Sequence, residues 1–197
     1  MYLFLDLRLM QLLAISGSLR AASVNTALLR GLCDAALPPV SVKLWPGLAE
    51  IPPFSPDREG ALTPPAVLDF AARVAAADGL VISCPEYVHA LPGAFKNALD
   101  WLVSRPELIG KPIALMHASS RGDDVLADLR RVLATVSDRF SEEIFLRLPV
   151  SNLTPAAIAT YCRTPETSAL LSAFVDSFRA YIMRETEKAQ SRSEERE

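Results

Sequence analysis

The sequence predicts an α/β domain: a doubly wound, five-stranded parallel sheet in the order 2-1-3-4-5, with helices on both faces. Three observations carry this. Five short apolar runs rich in branched residues recur along the chain, as in strands buried on both sides. Between them lie segments whose apolar residues return at helical spacing, which is the βαβ rhythm. At 197 residues, 50% of them hydrophobic, the chain is long enough for one substantial core. Right-handed crossovers then make 2-1-3-4-5 the expected order.

The elements follow in turn. The first strand is read from Met10 to Ser16. Residues 1–9 are read as an N-terminal extension: Asp6 and Arg8 interrupt the apolar run, no basic segment precedes it, and it falls short of the ~20 residues that cross a bilayer. Leu28, Leu32 and Ala35 define the first helix face, and Val40 to Trp45 the second strand. Prolines 46, 52, 53, 56, 64 and 65 exclude long regular structure, so residues 45–65 are expected to form a surface loop. Val67, Phe70 and Val74 suit the next helix; Gly79 to Ser83 is the third strand, followed by a helix with Phe95, Leu99 and Leu102 inward. Trp101 and the proline-rich loop are candidate subunit contacts. Pro112 to His117 is the fourth strand, Leu126, Leu129, Leu133 and Val136 line the next helix, and Glu143 to Leu148 is the fifth strand. Leu171, Phe174 and Phe178 mark the last helix, closing a domain over 10–183. Nine of the last fourteen residues are charged, so 184–197 reads as a solvated helix end fraying into a tail.

Charge and composition narrow the function. A net charge of -3 supplies no general basic field for nucleic acid or an anionic membrane surface. Cys33, Cys84 and Cys162 are far apart and no CxxC pair exists, so neither a zinc site nor another metal centre is expected, and a reducing cytoplasm is the natural setting. His89 and His117, the only histidines, read as packing or rim residues.

In an open parallel sheet, ligands bind outside the carboxyl ends of the strands where strand order reverses, here between strands 1 and 3. The crossing after strand 1, SGSLRAASVN, carries Ser16, Ser18, Arg20, Ser23 and Asn25. With the free N–H groups of the following helix, from Val24 on, these donors describe a phosphate cradle. Hydrogen bonds to charged groups are worth ~1.5–3 kcal/mol each and a helix dipole ~0.3–1, so the side chains dominate. Were Ser23 only a cap and Arg20 only a surface cation, the remaining donors would be unexplained. Neither GxxxxGK[ST] nor GxGxxG occurs, which points away from P-loop hydrolysis and dinucleotide binding. The crossing after strand 3, CPEYVHALPG, faces the first; Tyr87 is suited to lie along a flat ring, with its own and Val88's amides beside ring heteroatoms.

At this point the sequence resembles the NADPH-dependent FMN reductase family, whose members include quinone, azo-dye and chromate reductases. GSLRxxSxN after strand 1 and PEYxxxxPGxxKNAxDW after strand 3 carry the resemblance, which runs from about Met10 to about Leu148. It implies a flavodoxin-like fold, FMN as cofactor and NADPH or NADH as electron donor. It also implies a phosphate held by Ser18, Arg20, Ser23 and Asn25, and an isoalloxazine bordered by Pro85, Glu86 and Tyr87. Ser119, Ser120 and Gly122 after strand 4 would approach the ring. Hydride would pass through flavin N5 to flavin, a quinone or another small electron acceptor in a ping-pong cycle, in a homodimer or homotetramer, with no catalytic side chain assigned.

Two departures stand out. Val88 occupies a position where the family usually has asparagine, and the HASSRGDD crossing has less glycine than usual, so Arg121, Asp123 and Asp124 crowd the nicotinamide space. A non-enzymatic FMN-binding electron carrier or sensor is therefore the alternative. A serine hydrolase lacks its GxSxG elbow, and a phosphoacceptor receiver lacks acidic residues after strand 1.

Overall fold

A computed structural model describes residues 8–194. Five parallel strands, β1 (Met10–Ser16), β2 (Val40–Trp45), β3 (Gly79–Ser83), β4 (Ile113–His117) and β5 (Phe140–Arg147), form one sheet in the order β2-β1-β3-β4-β5. The expected strand order and fold are those observed. β5 begins at Phe140 rather than Glu143; it is a half-buried edge strand with a register irregularity opposite Ile113 and Leu115, which blurs the apolar run that sequence reading relies on.

Alternation along β1 divides the core. Leu13 and Ile15 face one side, where α2 (Pro65–Ala76), α3 (Gly93–Asp100) and α4 (Asp123–Val136) bury Phe70, Phe95 and Leu129. Leu12 and Ala14 face the other, covered by α1 (Val24–Ala35), α5 (Pro155–Cys162) and α6 (Pro165–Glu194) through Leu28, Ile158 and Phe178. The strands are thus covered on both faces, as their continuous apolar character requires. α5 was not anticipated. Its signal is a Thr154 N-cap, which accepts from Ala157 N at 3.2 Å, followed by Pro155 in the first turn. α6 continues through Glu194, so the charged segment from 184 is helical over its described part.

The proline-rich segment contains three short 3-10 turns, at Gly47–Glu50, Pro56–Arg58 and Gly60–Leu62. It is pinned to α3: Asn97 accepts from Phe54 N at 2.7 Å and donates to Pro52 O at 2.9 Å, while Trp101 Nε1 donates to the same carbonyl at 2.7 Å. Trp101 is therefore no subunit contact; it is 1% exposed, packed edge-on against Phe54 and committed within its own chain. Among the described residues no helix is long and apolar enough to cross a membrane.

Candidate functional site

Three crossings meet at the carboxyl ends of β1, β3 and β4. The first leaves β1 at Gly17, whose N–H donates to Ser83 O at 2.9 Å and so ties the crossing to β3. Ser16 is buried, and its Oγ accepts from Thr26 Oγ1 at 2.8 Å and from Ser18 N at 3.3 Å. Ser18 Oγ accepts from Arg20 N at 3.3 Å. Ser23 caps α1, its Oγ taking Thr26 N at 3.2 Å. These bonds curl the crossing so that the N-terminus of α1 opens toward the cleft, with no acidic residue in its first turn. Arg20 is exposed, and its guanidinium has no partner among the described residues. Asn25 is buried and accepts from Ser83 Oγ at 2.8 Å, stitching α1 to the end of β3.

The second crossing is a tight hairpin. Tyr87 and Ala90 exchange both backbone hydrogen bonds at 3.1 Å, and the residues between them, Val88 at φ 53° and His89 at φ 57°, lie in the left-handed region. Two central residues at positive φ define a type I′ turn. Its tip is held to α4: His89 Nδ1 lies 2.6 Å from Asp124 Oδ2, and Glu86 Oε2 accepts from Val125 N at 3.0 Å. Asp124 holds the His89 pKa above the ordinary histidine value. Glu86 supplies the cap that Gly122, at the N-cap with φ 95°, cannot. Although Glu86, His89 and Asp124 bring one ligand-type atom each within 4.8 Å, those contacts already serve the hairpin.

The third crossing rests on His117. This side chain is 2% exposed; Nε2 lies 2.6 Å from Arg121 O, so the proton sits on Nε2, while Nδ1 is buried without a partner. Burial holds its pKa below the ordinary value. A Cβ at Gly122 would stand 2.9 Å from His117 Nε2, so the crossing lies directly on the ring. Arg147 braces the outer side, donating to Asp123 Oδ1 at 2.5 Å and to Ser120 O at 3.3 Å, and holds the Asp123 pKa down.

Two hollows result. One, of about 300 Å³, is lined by Val24, Asn25, Pro85, Glu86, Ser119 and Gly122 of the expected set, together with Cys84, His117, Ala118, Arg121 and Ser151. The other, of about 350 Å³, is lined by Arg20 and Tyr87, with Gly17, Leu19, Pro92, Gly93 and Ala94. Ser16, Ser18, Ser23, Val88 and Ser120 line neither. The first three shape the first crossing, Ser120 lends its carbonyl to Arg147, and Val88 stands 95% exposed at the rim. Sequence reading missed Thr26, Ser83 and His117. An interior hydroxyl in a strand or helix announces no role, and His117 was read as packing or rim.

These groups can seat an anion on α1 and a planar ring between the crossings. The thiols of the site and its surroundings are not prepared as nucleophiles: burial drives the Cys84 pKa far above its ordinary value, and Cys33 rises to about 11.

Comparison with known proteins gives the family and the fold. Residues 10–141 match the family model for NADPH-dependent FMN reductase. The chain is 38% identical to the NAD(P)H-dependent FMN reductase of Pseudomonas aeruginosa over 112 residues, 56% of this chain and 60% of that protein. It is 38% identical to the quinone reductase of Escherichia coli K12 over 116 residues, covering 57% and 61%. The match thus spans about 60% of the length of these curated relatives. Among solved structures, the flavoenzyme NAD(P)H:(acceptor) oxidoreductase of Paracoccus denitrificans superposes with a TM-score of 0.72 at 25% identity, over 89% of this chain and 98% of that one.

Proposed function

Because the chain belongs to the NADPH-dependent FMN reductase family, we propose that it is an FMN-dependent oxidoreductase that moves reducing equivalents from NADPH or NADH to a small-molecule acceptor, either free flavin or a quinone. The observation that carries this reading is the pair of hollows flanking the second crossing, one reached by the open N-terminus of α1 and the other by the unpartnered Arg20 guanidinium.

The donor set fits the cofactor. Arg20, with the Ser18 hydroxyl beside it, at one hollow and the Val24 and Asn25 amides at the other are donors of the kind a phosphate monoester takes; Pro85 and Glu86 on one side and Tyr87 on the other form the wall between the hollows, and Ser119 and Gly122 approach from the third crossing. Bound FMN supplies hydride acceptance and donation, which is why the chain needs no acid, base or nucleophile of its own. The protein's part is positional. Asn25 and Ser83 hold the first and second crossings together, Glu86 and His89 hold the second to α4, and His117 supports the third. With the walls fixed, donor and acceptor take turns on the same open side, a ping-pong order. Three free thiols suit a reducing cytoplasm, and assembly is proposed to be a homodimer or homotetramer.

One observation favours a second reading: Arg121 lines the hollow, and Asp123 and Asp124 stand at the head of α4, where the third crossing ends. That crowding suits a non-enzymatic FMN carrier or sensor. The test is anaerobic addition of NADPH or NADH to the FMN-loaded protein. Bleaching of the yellow colour within seconds is expected; bleaching by dithionite alone would establish the carrier or sensor instead.

A further inference from the structure

We propose that Val88 is a specificity-determining residue, the apolar contact with which the cleft grips an uncharged, planar acceptor; this rests on the reading above. Val88 and His89 are the central residues of the type I′ hairpin, at φ 53° and 57°. That region suits glycine and asparagine and is a genuine outlier for a β-branched residue. The side chain gains nothing inside the fold, since it is 95% exposed. The strained geometry is imposed from both ends, by the paired Tyr87 and Ala90 backbone bonds and by the His89–Asp124 and Glu86–Val125 contacts. A strained residue with no internal packing partner, at the lip of a cleft, points to a role outside the fold.

Its place and surroundings define that role. Glu86 lines one hollow and Tyr87 the other, so the hairpin stem divides them, and Val88 is the exposed apolar residue at its tip. Tyr87 and Leu19, both lining the second hollow, leave 44% and 55% of their surface open, making an apolar rim. The charged groups of the hairpin are mutually engaged: His89 with Asp124, and Glu86 with the head of α4. The tip therefore presents hydrocarbon and no unpaired charge, which suits a neutral ring; the free cation of the second hollow, Arg20, is the one proposed to hold the FMN phosphate.

Two variants separate strain from contact. Val88→Thr keeps the β-branched shape and the strain but adds a hydroxyl; Val88→Asn relieves the strain and removes the hydrocarbon. With 1,4-naphthoquinone as acceptor, both should raise KM about four- to fifteenfold, the loss of one or two buried methyl contacts, with kcat retained. KM for the sulfonated, anionic naphthoquinone should not rise. Only Val88→Asn should raise Tm, by about 2–4 °C. Unchanged KM for the neutral quinone in a protein that binds FMN and is reduced by nicotinamide would overturn the assignment while leaving the proposed function intact. A loss of FMN affinity that accounts for the KM change, or a change in sedimentation, would equally overturn it, placing Val88 against the cofactor or a second subunit. Failure of the wild-type protein to bind FMN would sink the proposed function itself.

Discussion

Gly17→Ala should loosen the whole cleft through a single atom. An ideal Cβ at Gly17 would stand 2.3 Å from Cys84 Sγ, 3.2 Å from its Cβ and 3.4 Å from its Cα. Favourable heavy-atom contacts lie near ~3.5–4.0 Å, so the sulfur is overlapped by more than an ångström. Cys84 is 1% exposed, and Gly17 is held by its N–H bond to Ser83 O, so neither side gives way cheaply. Overpacking of this kind costs about 1–3 kcal/mol, and an overlap this deep belongs in the upper half. In a domain of this size, 2–3 kcal/mol lowers Tm by about 4–12 °C. Because Gly17 lines one hollow and Cys84 the other, FMN affinity should fall as well. Thermal melts and quenching of FMN fluorescence measure the two effects. The double variant Gly17→Ala/Cys84→Ala removes the sulfur and should recover most of both losses, with a coupling energy above about 1 kcal/mol. Wild-type melting of Gly17→Ala, or strictly additive losses in the double variant, would refute the reasoning.

Three further outcomes are expected. Arg20→Ala should weaken FMN binding about ten- to hundredfold, the value of one charge-assisted hydrogen bond, with an unchanged melt of the apoprotein; unaltered affinity would remove Arg20 from the phosphate site. His117 has a folded pKa below its unfolded value because burial disfavours the charged ring, so its contribution is present above about pH 6.5 and lost as pH falls. His117→Gln keeps a donor for Arg121 O and should flatten that acid limb in melts taken from pH 7 down to pH 5; an unchanged limb would assign it to another group. Lys111 Nζ donates to Ala77 O at 2.6 Å and Ala75 O at 3.3 Å at the end of α2, so Lys111→Met should cost about 1–2 kcal/mol in urea unfolding, and a neutral result would show those carbonyls are otherwise satisfied.

The sheet was legible because buried parallel strands must be apolar throughout, and the helices between them because Leu28, Phe70, Phe95, Leu129 and Phe178 recur at helical spacing toward one face or the other. α5 escaped because it is only eight residues long and offers little periodicity. Sequence reading placed the loops of the cleft by topology alone, since the crossings after β1, β3 and β4 must converge. It did not find the supports. Ser83 and Asn25 are 58 residues apart, and Glu86 reaches Val125 across 39, so only the folded chain brings such partners together. Nor did composition reveal that Val88 sits at positive φ, which depends on the hairpin closing between Tyr87 and Ala90.

Glu86 at the head of α4 gives the cleft a direction. One helix, α1, points an uncompensated amide end at the opening, whereas α4 meets the carboxylate of Glu86 and begins with Asp123 and Asp124. The electrical poles of the two helices are thereby made unequal. A visitor with a negative head and a neutral body gains from the amide end of α1 and finds no such gain at α4, whose amide end is already met by Glu86 and whose aspartates are paired with Arg147 and His89. Docking polarity is thus written into the scaffold before any part of the visitor is recognised in detail.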